Sequence, residues 1–220
     1  MRIHTGYNAH VLYDADLIIS IDPGTTEMGW CVSAVGITSF ERIEAGTLRL
    51  GAGHLGKRLT TARVFLVELL RKYSALHRNV WIALEDVGTG QRGGKTSKAT
   101  TRALGASIGI IFQAAYETGI PAHKIVPINL STAKKQATGN GSASKEEMVA
   151  AYEKATGAEA LKADEADAYW IGYTLAAILQ KTVKKPSTQA WKTISKAHAA
   201  EAEKARKAKA RLAKKASKKR

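Results

Sequence analysis

The chain has 220 residues, 45% hydrophobic and 24% charged, which suffices for one domain with a core and an appendage and is short for two full-sized domains. A single cysteine, Cys31, excludes an internal disulfide and a thiolate metal cluster, and no run approaches the roughly 20 apolar residues of a membrane span. The net charge of +15 sits at one end: residues 181–220 hold 15 Lys/Arg and 2 Asp/Glu, whereas residues 1–180 hold 19 and 17.

Residues 1–16 carry Asp14 and Asp16 and lack the apolar core of a signal peptide, so they are expected to be an N-terminal extension in a reducing, cytoplasmic setting. A buried strand is predicted over 17–22, ending at Asp22, where Pro23-Gly24 turns the chain. Strands over 29–35 and 42–49 follow closely enough to form an antiparallel meander. Apolar residues at helical spacing predict a helix over 55–75. The run "NVWIALEDV", 79–87, is a further buried strand, and "GTGQRGGKTSK", 88–98, is a glycine-rich basic loop. An apolar helix over 99–118 contains Gly105 and Gly109, which permit close helix packing, against its own sheet or against a second copy. A fifth strand is predicted in "HKIVPINL", 123–130, then a loop over 131–145 and helices over 145–156 and 164–181.

This order predicts an α/β fold, a mixed five-stranded sheet flanked by helices, over residues 17–182. From 183 to 220 the chain is rich in Ala and Lys but has no apolar stripe wide enough to pack on a core. It is expected to be a helical or disordered arm that binds polyanions through phosphate contacts.

Three places carry carboxylates at structurally exposed ends. Asp22 stands at a strand end, where an Asx-turn capping the bend requires the same residue type. Glu85 and Asp86 end the strand in "WIALED" and point to opposite faces, and strand phase alone does not choose between them. Asp164 and Asp167 lie three apart on one helix face while Glu165 points elsewhere, and acids in a first turn also suit the helix dipole. Together, with no HExxH or HxxH among the six histidines, these acids form an all-oxygen ligand set. Such sets select Mg²⁺ or Mn²⁺ over zinc. Two such ions about 3.5–4 Å apart serve in-line attack on phosphodiesters.

The pieces "IDPGTTEMGW", "IALEDV", "AKKQATGNGSASKEEMV" and "ADEADAYWIGY", in that order and spacing across 17–180, resemble the RuvC family of Holliday-junction resolvases in the RNase H-like superfamily. That resemblance implies that Asp22, Glu85, Asp164 and Asp167 bind metal, with Glu85 preferred over Asp86, and that each site takes two Mg²⁺ or Mn²⁺ ions. It implies Lys134 and Lys145 as catalytic lysines near the scissile phosphate, with Lys135 as the alternative to Lys134 and a candidate DNA contact. It also implies a homodimer that makes paired symmetric nicks in four-way junctions and other branched DNA. The chain departs from the family in two ways. Where members commonly carry an aromatic after the strand-four Glu, it has Gly88 and a loop whose Arg92, Lys95 and Lys98 are candidate DNA contacts. The basic tail is the other departure.

Three other functions compete. An actin-like ATPase would explain "DPGTT" but needs a duplicated domain and leaves Asp164 and Asp167 without a role. A non-catalytic DNA-binding protein has little use for four acids that repel phosphate. A nuclease of the same superfamily acting on forks, flaps or RNA-containing duplexes is the third, and the missing aromatic favours it.

Overall fold

The near-continuous apolar run "LIISI" is what a central strand covered on both faces requires, and in the computed structural model Leu17 to Ile21 are all buried. The structure describes residues 16–36, 39–77, 79–86, 98–160 and 162–180. In chain order it contains β1 (Asp16–Asp22), β2 (Glu27–Val35), β3 (Phe40–Arg49), α1 (Leu55–Ser74), β4 (Val80–Glu85) and α2 (Lys98–Glu117). A single 3-10 turn (Ala122–Lys124) then precedes β5 (Ile125–Ile128), α3 (Leu130–Thr138), α4 (Lys145–Thr156) and α5 (Ala163–Gln180).

The five strands form one mixed sheet in the order β3-β2-β1-β4-β5, as the alternation of elements predicts. The β1–β2 and β2–β3 pairs are antiparallel, forming the expected meander, and β1–β4 and β4–β5 are parallel. Period-two alternation sorts the side chains of each strand. Ile19, Ile21, Met28, Val32, Ile82 and Leu84 pack with α1 and α2, and Ile18, Cys31 and Ala83 pack with α5. Against the outer side of α5 lie α3 and α4.

Two expectations are corrected. Residues 131–145 are not all loop, because Leu130–Thr138 is a helix. Its first turn is capped by Asn129, whose side chain accepts from the Ser131 amide. Ala133 is buried, and Gly139 closes the helix at φ 84°, which glycine adopts without a Cβ penalty. The fifth strand is shorter than 123–130, since the 3-10 turn takes its start and the Asn129 cap takes its end. Arg92, Lys95, Gly88, residues 1–15 and the tail from 181 lie outside the described residues. Among the described residues no helix is long and apolar enough to cross a membrane.

Candidate active site

The strand phases left open by sequence are settled by which face α5 covers. Asp22 follows Ile18 and Ser20 in phase, and Glu85 follows Trp81 and Ala83, so both carboxylates project toward α5. Asp86 follows Ile82 and Leu84 toward the opposite face, and its amide extends the sheet by donating to the Ile128 carbonyl at 2.8 Å. Parallel pairing aligns Ile21 with Leu84, so Asp22 and Glu85, the next residues, end adjacent strands side by side.

The turn after Asp22 is held from the α1–α2 side. Arg58 donates to the Thr25 carbonyl at 2.5 Å, and the Ser107 hydroxyl, which donates to the Ala103 carbonyl at 3.1 Å, also lies 3.4 Å from the Gly24 carbonyl. A Cβ on Gly24 would lie 1.7 Å from the Glu27 carbonyl oxygen, so the bend accepts only glycine.

The N-terminus of α5 completes the group. Asp164 and Asp167 share the face turned to the sheet rim, as their spacing predicts. This approach depends on Gly29, which pairs with Asp22 across the β1–β2 ladder. A Cβ on Gly29 would stand 2.0 Å from the Asp164 carbonyl oxygen. Glycine inside a strand marks close backbone approach, so this signal was present in "EMGW". Lys162, just before α5, forms an ion pair with Glu27 at the start of β2, and Arg49 lies 3.7 Å from the same carboxylate. Lys162 holds Glu27 below the usual carboxylate range.

The four acids interact. Burial pushes the Asp22 carboxyl well above its ordinary range, and the Glu85 carboxyl, in hydrogen-bonded contact with it, pushes further, followed by Asp167 and Asp164. Burial raises Asp167 to about 6 against the pull of Lys134 and Lys145. Asp167 is 6% exposed, and its Oδ1 is buried without a hydrogen-bond partner. Among the described residues no three His, Cys, Asp or Glu side chains are already drawn together as a ligand set. The acids nevertheless fit hard divalent cations: the donors are all oxygen, one buried oxygen has no partner, and the cluster carries charge that burial and mutual repulsion disfavour.

The two candidate lysines flank the acids. Lys145, the first residue of α4, places its Nζ 3.5 Å from Asp164 Oδ1. Lys134 on α3 donates to the Ala143 carbonyl at 2.7 Å, which aims it inward, whereas its neighbour Lys135 is exposed. Lys98 is exposed at the start of α2.

The chain matches the family model described as Crossover junction endodeoxyribonuclease RuvC over residues 18–174. It belongs to the RuvC family. Curated relatives named Crossover junction endodeoxyribonuclease RuvC include that of Gluconobacter oxydans (strain 621H), 30% identical over 154 residues, 69% of this chain and 84% of that protein. The RuvC of Anaeromyxobacter sp. (strain K) is 30% identical over 152 residues, covering 69% and 76% respectively. Among solved structures, the Thermus thermophilus RuvC in complex with Holliday junction substrate superposes with a TM-score of 0.62 at 22% identity. The alignment covers 76% of this chain and 97% of that one, and it supports the shared fold.

Proposed function

We propose that the protein is a structure-selective endonuclease that resolves Holliday junctions by metal-dependent phosphodiester hydrolysis. The observation that carries this is the convergence of Asp22, Glu85, Asp164 and Asp167 from two adjacent strand ends and one helix face. Family membership among crossover junction endodeoxyribonucleases supports the same activity.

The four carboxylates would hold two Mg²⁺ or Mn²⁺ ions per site. When bound, such ions supply activation of the attacking water and charge stabilisation at the leaving oxygen. The chain's own part is positioning. The sheet fixes Asp22 and Glu85, the contact at Gly29 fixes the start of α5, and Lys134 and Lys145 place two cations beside the acids for a scissile phosphate. Lys98, Lys135, Arg92, Lys95 and the tail would add phosphate contacts.

Paired symmetric nicks require two sites related by a two-fold axis, matching a junction's own symmetry. The face of α2 opposite its buried residues carries Gly105, Gly109, Phe112 and Tyr116 at helical spacing, with Phe112 41% and Tyr116 84% exposed. We assign it to a second copy. Sedimentation of Tyr116→Arg should then show a monomer where the parent is a dimer.

The metal reading is tested with Asp22→Asn. Cleavage should be lost while folding and junction binding remain, and undiminished cleavage would refute the assignment. Deleting residues 184–220 should flatten the salt dependence of DNA binding, and an unchanged slope would remove the tail from the binding surface. A second reading, cleavage of forks or flaps, is favoured by Gly88 in place of the family's aromatic.

A further inference from the structure

Helix α5 begins with three carboxylates in four positions, Asp164, Glu165 and Asp167, and only two of them turn to the sheet rim. A helix usually takes its rotation from an apolar stripe facing the core. That cue is missing here, because every residue from Glu165 to Ala176 is buried. Turning α5 by one position, about 100°, would present Glu165 to the rim and carry Asp164 away.

A buried polar contact on the far side of the helix distinguishes these rotations. Glu165 is 2% exposed, and its Oε1 accepts a 2.5 Å hydrogen bond from the hydroxyl of Tyr152, a fully buried residue of α4. Arg42 of β3 places its guanidinium 3.6 Å from the same oxygen and 5.9 Å from the centre of the Tyr152 ring. One carboxylate oxygen is thereby tied to two elements that do not carry the acids. Its Oε2 has no hydrogen-bond partner. A buried ion pair of this kind contributes little net stability, and its best-attested use is to specify register.

We infer that Glu165, held by Tyr152 and Arg42, is a positioning residue that keys the rotation of α5 and so determines which two of its acids face Asp22 and Glu85. The inference rests on the metal-binding role proposed above for Asp164 and Asp167. Tyr152 and Arg42 act through Glu165, which both contact. Arg42, with 28% of its side chain exposed, keeps access to water when Glu165 is removed.

The test uses the full chain and its Glu165→Ala, Glu165→Gln and Tyr152→Phe variants. Mn²⁺ binding is titrated by electron paramagnetic resonance, hydrogen exchange is followed at residues 163–168, and junction affinity is measured in EDTA. Glu165→Ala and Tyr152→Phe should weaken Mn²⁺ binding about tenfold, the scale on which groups behind a ligand act. Both should speed exchange in the first turn of α5 and leave metal-free junction affinity unchanged. Glu165→Gln keeps an acceptor for Tyr152 and should stay within about threefold of the parent. The double variant Glu165→Ala with Tyr152→Phe should be no worse than Glu165→Ala alone, as residues of one network are not additive.

Unchanged Mn²⁺ affinity and exchange in Glu165→Ala and Tyr152→Phe would overturn the inference. So would a lowered unfolding midpoint with the Mn²⁺ affinity of the folded protein intact, which marks a merely structural contact. A parent protein that binds Mn²⁺ and cleaves no junction would contradict the proposed function while these variants still decide the key. A parent that binds no Mn²⁺ would overturn both.

Discussion

On the α1–α2 side of the sheet, β1 and β2 present Ile19, Ile21, Met28 and Val32 to Leu66, Leu70 and Ile111, and the contacts are almost wholly apolar. On the α5 side the alternate positions of the same strands include Ser20, Asp22, Gly29 and Ser33, facing a helix with buried Glu165 and Asp167. Burial of apolar area stabilises the first face without specifying exact geometry. The second face carries groups that are costly to bury and are useful only in one arrangement. Close backbone approach at Gly29 and Gly172, where a Cβ would sit 2.7 Å from Ser20 Oγ, and the Tyr152–Glu165 contact enforce that arrangement.

Substitutions on the two faces should therefore separate stability from activity. The largest effect is expected from Asp167→Asn: in the metal-binding role proposed for it, its loss should reduce cleavage by about a thousandfold or more. Circular dichroism should show an intact fold. Leu66→Ala, on the other face, should cost about 2–5 kcal/mol in denaturant unfolding with kcat per folded molecule unchanged. Gly29→Ala comes next: its Cβ must displace the start of α5, and a shift of about 1 Å at a reacting centre can cost about a hundredfold in kcat. Junction affinity in EDTA should be unaffected, and normal kcat would remove Gly29 from the account.

The pH dependence should also belong to the α5 face. Asp22 is raised well above its ordinary value and Asp167 is raised from 3.8 to about 6, so the folded protein retains protons that the unfolded chain releases. The stabilisation that the protonated Asp167 contributes to the metal-free protein is then fully present below the ordinary carboxylate range and is lost as pH rises through about 6, and the raised Asp22 adds a loss of the same sign. Asp167→Asn should flatten this decline and stabilise the metal-free protein at pH 7 by about 1–3 kcal/mol, measured by urea unfolding in EDTA. An equally steep decline in the variant would place the linkage elsewhere. The smallest effect is expected at Gly56 of α1, where an added Cβ meets open space. Gly56→Ala should stabilise by about 0.5–1 kcal/mol and leave cleavage unchanged.

The sheet was legible because its strands carry apolar runs with clear ends, and the meander followed from their short separations. The shared face of Asp164 and Asp167 was legible from helical spacing alone. Glu85 and Asp86 were not separable, since that depends on which helix covers which side, a tertiary fact. Helix α3 was missed because "STAKKQAT" buries only Ala133 and owes its start and end to Asn129 and Gly139 rather than to periodicity. Lys134 and Lys135 became distinguishable only through the Ala143 carbonyl. The contact of Arg42 and Tyr152 with Glu165 joins β3, α4 and α5 and leaves no local pattern to read.

The most direct test of the central claim is to incubate the purified protein, with and without Mg²⁺, with a synthetic four-way junction and with the same sequences as linear duplex and as a fork. The account predicts Mg²⁺-dependent, paired symmetric nicks confined to the junction. Equal cutting of all three substrates would contradict junction selectivity, and tight junction binding with no cutting in Mg²⁺ or Mn²⁺ would contradict the nuclease itself.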